Sequence, residues 1–557
     1  MTIPKKSWAT REFFSEPVRE HAREHALQHV REHLREHANA HAHTHRRLNA
    51  AGKKPLRVMK FGGTSVGDPG AIERVVEIIR NASRETDLVV VVSAMSGVTN
   101  QLVAAANHAE AGEYQPVAAI FEGLRRQHNA AASALIYPAA ERSRIERRIA
   151  ELLQAGERLC QGTILLGELT ARTRDAISSL GERLSVLLVA GALEERGVAS
   201  AAIEATELVV TDGCHGGADP CMELTRERCE ARLRSLLQQG MVPVVTGFIG
   251  ATADGVLTTL GRGGSDYSAT ILGAVLEADE VVIWTDVEGL QTADPRLVPG
   301  ARTIAEISYR EAAELAYFGA KVLHPKTLRA VMQCGIPLWI RNTFAAERPG
   351  TKITPAGGPS VAGVKALTAT GDVVMITVGG PGLAGVQDVL GRTFRTTAGV
   401  RADVLLISQA SSQNDLCLVI PAAFAKSTVD GLRHEFAHEL AHEAGEHIRV
   451  DSTVAMVTVV GQNMRSIPGI VGRTFGALGR ENVNIIAIAQ GSTECTISFV
   501  VPKQDMPAAL ASIHEEFRLG SPTDPTLAGN VTSEENEEQV SQPLSLAAAH
   551  SDVQANR

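Results

Sequence analysis

"PLRVMKFGGTSVGDPG", Pro55 to Gly70, is where a globular pattern begins. An apolar run carries one lysine, Lys60, and ends in the paired glycines Gly62 and Gly63. A helical pattern follows from Ala71 to Ser83, and then "DLVVVVSAMSG", a buried strand ending in a loop. Strand, glycine turn, helix and strand in that order predict an α/β fold with a mainly parallel sheet.

The pattern continues outward from there. From Ala104 to about Ser179 it is helical. "MVPVVTGFIG" and "DEVVIWTD" read as buried strands with the helix "SDYSATILGAVLEA" between them. After "RPGTKITPAGGPS" the elements shorten. The chain has 557 residues, so three or four domains are expected. Aromatics are only 4%, which disfavours stacking platforms for single-stranded nucleic acid. A formal net charge of −9 gives no overall basic field for a polyanion. Seven scattered cysteines without CxxC suggest reduced, buried thiols in a cytoplasmic protein. No run of eighteen consecutive apolar residues and no apolar stretch near the start predict a membrane span or a secretory signal.

The later region repeats itself. "VMITVGGPGLAGVQDVLGRTF" from Val374 and "AMVTVVGQNMRSIPGIVGRTF" from Ala455 align without gaps at an offset of 81 residues, which sets Gln409 on Gln490. Each copy reads strand–loop–helix–strand–strand. Gly380, Gly382 and Gly385 fit G-x-G-x-x-G, a dinucleotide signature. The second copy has "GQNMRS" at that turn, so the fold does not need those glycines for a pyrophosphate.

Chemistry concentrates in three loops at strand ends. "KFGGTS" sets Lys60 beside Gly62 and Gly63, and "TLGRGGSDYSA" sets Gly261, Gly263 and Gly264 before a helix with Asp266 in its first turn. "SAMSGVTN" ends the second strand. Glycines let backbone N–H groups close on phosphate oxygens, and a helix N-terminus adds positive potential. An adjacent lysine neutralises charge on a transferred phosphoryl group. Tight turns are the bland alternative. Two such loops, with a lysine and an Arg/Asp pair, favour phosphate handling. G-x-x-x-x-G-K-[ST], HRD and DFG are all absent, which excludes P-loop and protein-kinase readings.

"KFGGTS", "GERLS", "LGRGGSDYSA", "WTDVEG", "TADPR" and "FGAKVLHPKTL" occur in order between residues 58 and 328. With them the chain resembles an aspartate kinase of the amino-acid-kinase family, and the repeat resembles the paired ACT domains of such enzymes. The resemblance covers about residues 56–520. It implies an amino-acid-kinase domain over 56–355 and two ferredoxin-like (βαββαβ) ACT regions over 360–448 and 449–522. A His-rich arm, 1–55, precedes them and a disordered polar tail, 523–557, follows.

The implied reaction is ATP-dependent phosphorylation of the L-aspartate β-carboxylate, with Mg²⁺ and no phosphoenzyme. Lys60 matches the lysine bridging aspartate and the γ-phosphate, Asp266 the acid that organises it, and Lys321 a second lysine directed at the nucleotide. Gly62, Gly63, Gly263 and Gly264 match backbone donors to the phosphates, with Ser65 and Gly261 in the same loops. Arg262 matches the arginine that forks onto the substrate α-carboxylate. Glu182 matches the carboxylate holding the α-ammonium, and Ser93, Thr99 and Ser265 complete the amino-acid site. Thr285, Asp286, Asp294 and Arg296 match the nucleotide-side segment. Gln291 departs from the family, which often has tyrosine there.

The motifs "LISQASSQ" and "AIAQGSTE" resemble the threonine-responsive, homoserine-dehydrogenase-fused type more than the lysine-responsive one. An amide both donates to a carboxylate and accepts from an ammonium, so Gln409 and Gln490 are expected effector contacts. The expectation is a monofunctional, feedback-inhibited homo-oligomer, with threonine ahead of lysine as effector. The alternatives are a kinase acting on glutamate, N-acetylglutamate, carbamate or UMP, and a catalytically silent amino-acid sensor.

His21, His25, His29, His33, His37 and His41 recur every fourth residue in the arm. Four residues advance about 400° around a helix, so the column drifts and six imidazoles cannot surround one ion. A solvated arm not needed for catalysis is expected, and no metal site is assigned.

Overall fold

The computed structural model describes residues 54–318, 323–358, 360, 363–379, 386–410, 415–442, 448–490 and 495–521. The histidine column, Lys321, the 380–385 turn and the tail lie outside the described residues.

The first region opens with β1 (Leu56–Phe61), α1 (Pro69–Ala82) and β2 (Asp87–Val92). Five helices follow: α2 (Val98–Glu110), α3 (Tyr114–Leu135), α4 (Ala139–Leu166), α5 (Ala171–Ser178) and α6 (Leu180–Glu195). Next come β3 (Ser200–Ile203), α7 (Met222–Gln238), β4 (Val242–Thr246), β5 (Ile249–Ala251), β6 (Leu257–Thr259), α8 (Gly264–Val275) and β7 (Glu280–Thr285). The region closes with β8 (Glu306–Ser308), α9 (Tyr309–Tyr317), α10 (Pro325–Cys334), β9 (Leu338–Asn342) and β10 (Thr351–Thr354). Helix α1 starts two residues before the apolar periodicity does. Asp68 accepts from the Ala71 amide at 2.9 Å and Pro69 occupies the first turn, where its missing N–H costs nothing.

Eight strands form one sheet in the order β3-β4-β2-β1-β7-β9-β10-β8, parallel except where β10 runs against β9. Leu88, Val90 and Val92 of β2 face a core shared with α1–α4 and α6, while Val89 and Val91 face a second core with α7, α8 and α10. Burial on both faces is why this strand reads as unbroken valine. Ala171–Glu195 has the length and composition of a membrane span, but most of it is buried within the protein. It is a core helix pair, α5 and α6, broken near Ser179.

The repeat forms two four-stranded antiparallel sheets. Strands β11 (Val364–Thr370) and β12 (Val373–Val378) lead to α11 (Val386–Gly399), β13 (Leu406–Ala410), β14 (Asp415–Pro421), α12 (Ala425–Glu435), α13 (Ala437–His442) and β15 (Ile448–Asp451). The second copy is β16 (Val454–Gly461), α14 (Ile470–Arg480), β17 (Ala487–Gln490), β18 (Thr496–Pro502) and α15 (Met506–Glu516). The sheet orders are β13-β14-β12-β15 and β11-β16-β18-β17.

This partition corrects the sequential division at 448/449. That boundary cuts β15, which pairs with β12, and β11, placed in the first ACT region, pairs with β16 of the second. One ACT unit is therefore inserted into the other. At the 81-residue offset β15 falls on the last four residues of β11, so the two strands are equivalent and only pairing assigns each to a sheet. Val373, Leu406 and Val419 of one sheet meet Val454, Met456 and Val500 of the other in a shared apolar seam.

The identical "GRTF" of the two copies has a structural cause. Arg392 Nε donates to Glu435 at 3.0 Å with its guanidinium 4.2 Å from the Phe436 ring centroid. Arg473 Nε donates to Glu516 at 2.9 Å and lies 4.4 Å from the Phe517 centroid. Each arginine ties the first helix of its unit to the end of the second. Arg392 also pairs with Glu439 at 2.5 Å and is the less exposed of the two. Arg392→Ala is expected to destabilise its unit by about 1–3 kcal/mol through loss of charge-assisted bonds and ring contact, more than Arg473→Ala does. Calorimetric unfolding of the full chain checks the order.

Candidate functional site

In the parallel sheet Phe61 lies beside Val92 and Trp284, so the chain leaves β1, β2 and β7 at one edge. Gly62, Ser93 and Asp286 follow there, at the carboxyl ends where open α/β sheets bind ligands. A cleft of about 450 Å³ lies at this edge, lined by Lys60, Ser93, Thr99, Arg262, Ser265 and Asp266 together with Gly261, Gly263 and Gly264.

Lys60 is buried, and its Nζ lies 2.5 Å from an Asp266 carboxylate oxygen. A Cβ on Gly62 would stand 3.6 Å from that ammonium, an ordinary van der Waals distance. The Gly62 amide donates to Trp284 O at 3.0 Å and the Gly264 amide to Gly261 O at 2.9 Å. Two of the four expected phosphate donors, Gly62 and Gly264, are thus engaged within the protein. Gly261 and Gly263 hold φ of 78° and 71°, where a side chain is strained. A Cβ on Gly263 would also come within 2.7 Å of His324 Cβ. Ser93 Oγ donates to Ser265 Oγ at 2.9 Å, joining the β2 loop to the start of α8.

Glu182 stands in the first turn of α6, behind the open wall. A Cβ on Gly181 would meet Ala94 Cβ at 2.5 Å, so the glycine of "GERLS" lets α6 close on the β2 loop. Glu182 is buried and its Oε2 has no protein partner. Burial pushes its carboxyl up to about 7, against the lowering effect of the Ala94 and Glu182 amides and of Lys60. A buried carboxylate oxygen without a donor calls for a cation.

The nucleotide-side residues are more dispersed. The Ser65 hydroxyl is fully buried, 2.7 Å from Thr343 Oγ1, and does not face the cleft. Thr285 and Asp286 end β7, with the threonine hydroxyl 3.3 Å from the aspartate carboxylate. Half-buried Gln291 bridges to Thr303, and its Oε1 is buried without a partner. Asp294 and Arg296 pair with each other at 2.6 Å and do not line the cleft. Their loop instead packs on the second ACT unit through Ala293, Leu297 and Val298. Gln409 and Gln490 are exposed on the edge strands β13 and β17.

Sequence reasoning missed part of the wall: Arg174, Asp175, Ser178, Gly216, Phe248 and Thr259. Asp175 lies seven residues before Glu182, two helical turns, which was a usable signal. Phe248 holds φ of 69°, an unusual conformation for a bulky residue, beside the cleft. No disulfide joins the seven cysteines, but Cys214, Cys221 and Cys334 are exposed, against the expectation of buried thiols.

An amino acid kinase family model matches residues 55–342 and an ACT domain model matches residues 457–517. The bifunctional aspartokinase/homoserine dehydrogenase of Haemophilus influenzae is 34% identical over 473 residues, covering 83% of this chain and 56% of that protein. Lysine-sensitive aspartokinase 3 of Escherichia coli is 32% identical over 464 residues, covering 83% of this chain and 98% of that one. The chain thus spans about half the length of its bifunctional relatives and nearly all of the shorter one. The crystal structure of E. coli aspartokinase III in complex with aspartate and ADP is similar at a TM-score of 0.69 and 32% identity, covering 83% of this chain and 99% of that one. The aspartate kinase of Clostridium acetobutylicum is similar at 0.68 and 26% identity, covering 83% of this chain and 100% of that one. With the eight-stranded sheet, the glycine turns and the two smaller antiparallel sheets in place, the chain belongs to the amino acid kinase family and carries a C-terminal ACT region.

Proposed function

We propose that this chain phosphorylates the β-carboxylate of L-aspartate with ATP, giving ADP and 4-phospho-L-aspartate, and so opens aspartate-family amino-acid biosynthesis in the cytoplasm. The observation that carries the reading is the buried Lys60–Asp266 pair between two glycine turns, in one cleft with Arg262. The acceptor is itself a carboxylate with an ordinary pKa of about 3.9, already ionised at neutral pH, so no general base is required. What remains is to hold two anions together. Lys60 supports charge shared between the β-carboxylate and the γ-phosphoryl group, Arg262 forks onto the α-carboxylate, and the free Glu182 oxygen accepts the α-ammonium. Asp266 keeps the lysine aimed.

Among the described residues no group of three or more His, Cys, Asp or Glu could hold a metal ion. Mg²⁺ keeps several waters and is held mainly by a nucleotide's phosphates; Asp266, in the cleft beside the glycine turns, would be the carboxylate to hold it. Bound there, it would neutralise phosphate charge. The test is ADP release with aspartate, glutamate, N-acetylglutamate and carbamate as separate acceptors; turnover with glutamate and not aspartate would reassign the substrate.

ACT binding of an amino acid reaches the catalytic domain by direct contacts. Lys365 of β11 pairs with Glu311 of α9 at 3.3 Å, both buried, and Thr368 Oγ1 donates to Phe318 O at 3.3 Å, just before the segment of Lys321. Thr292 Oγ1 lies 3.0 Å from His514 Nε2, and Arg302 Nε donates to Leu519 O at 2.8 Å, flanking Asp294 and Arg296. Threonine is expected to lower activity and raise Tm through Gln409 and Gln490, and alanine at either position to weaken both effects. Inhibition by lysine alone, untouched by those substitutions, would overturn the threonine reading.

A further inference from the structure

Asp175 is a buried carboxylate that the phosphoryl-transfer scheme does not use. It sits on the short helix α5, and its two oxygens collect four donors from two separate loops. Thr259 supplies its hydroxyl at 2.7 Å and its amide at 3.2 Å. Gly216 supplies its amide at 3.1 Å and His215 its Nδ1 at 2.9 Å. Thr259 ends β6, three residues before Arg262.

The two loops are also locked to each other. The Ala218 amide donates to Thr259 O at 2.9 Å, and Thr211 and Thr258 share a hydroxyl contact at 2.6 Å. Gly261 lies so close to the Gly216–Gly217 backbone that a Cβ on it would meet Gly216 O at 2.9 Å. Asp175 therefore stands at the base of the turn that presents Arg262, and every one of its bonds fixes backbone or side chain in that turn or the loop packed on it. An arginine that must meet a carboxylate with both prongs tolerates only about 0.5 Å of misplacement.

We propose that Asp175 is a positioning residue that sets Arg262 for the α-carboxylate of the acceptor, and so governs acceptor affinity without touching the nucleotide. This rests on the reading of Arg262 as an acceptor ligand. Asparagine at 175 keeps an oxygen for the Thr259 hydroxyl and loses the acceptor that serves the Thr259 amide, the Gly216 amide and His215. Asp175→Asn is expected to raise the aspartate KM about tenfold, with kcat and the ATP KM within about threefold of wild type. Asp175→Ala should show the same pattern more strongly, with a lower Tm. Combined with Arg262→Ala, the asparagine variant should add less than about twofold, because both act through one contact. A general loosening of the fold would instead shift all three kinetic constants together. An unchanged aspartate KM in Asp175→Asn, or a full additional effect in the Arg262→Ala background, would overturn the assignment. Failure of the aspartate reading looks different: wild type itself then releases no ADP with aspartate, and the same variant comparison is made with whichever carboxylate acceptor it does turn over.

Discussion

Lys60→Ala is expected to lower aspartate-dependent ADP release by about 10³-fold or more, with the fold retained. Lys60 stands beside one glycine turn and pairs with Asp266 beside the other, and Asp266 cannot substitute for its charge. Removing the ammonium leaves the Asp266 carboxylate in a mostly buried place without its partner, only 2.5 Å from where Nζ stood. It also removes one of the influences that hold Glu182 down, so that carboxyl moves further up. Phosphoryl transfer between two anions then proceeds against uncompensated charge. Asp266→Asn should cost less, because the lysine stays in place and loses only its orienting charge. Equal aspartate-dependent ADP release from wild type and Lys60→Ala would overturn the assignment of Lys60, and no release from wild type would favour a silent sensor built on a kinase scaffold.

Acid should weaken aspartate binding in a pH range set by Glu182. Its carboxyl titrates at about 7 in the free protein, and only the ionised form can hold an ammonium group. Above that pH the site is ready; below it the aspartate KM is expected to climb toward tenfold per pH unit, with the ATP KM much less affected. The linked stability has the opposite sign. A carboxyl whose pKa is raised on folding favours the folded state fully below its unfolded value of 4.5 and loses that advantage as pH rises through about 7. Glu182→Gln should therefore raise the Tm of the ligand-free protein at pH 8 while increasing the aspartate KM by about 10²-fold and flattening its pH dependence. A steep pH dependence that survives in the glutamine variant would assign the titration to another group.

Much of the catalytic half could be read from the chain alone because its signals are local. Lys60, Gly62 and Gly63 are sequence neighbours, and so are Arg262, Gly263 and Asp266; a loop of a few residues fixes their order. "DLVVVV" announced burial on both faces, and a period of 81 residues announced two equivalent units.

Contacts between distant segments were not legible in this way. Asp175 gains its meaning from Thr259, which lies 84 residues away, and Gly216. Asp294 and Arg296 satisfy each other on a loop packed against the second ACT unit, a placement their motif does not encode. The strand exchange of β11 and β15 is the clearest case. The two strands are equivalent by the repeat, so composition could not tell which sheet each would join. Sequence alone determined the fold class, the glycine turns and the chemistry of their side chains, because these depend on neighbours within a few residues. Only the tertiary structure decided which sheet took which strand, which hydroxyls and amides were already engaged, and that Glu182 kept an oxygen free, because hydrogen-bond satisfaction and burial depend on segments that meet only on folding.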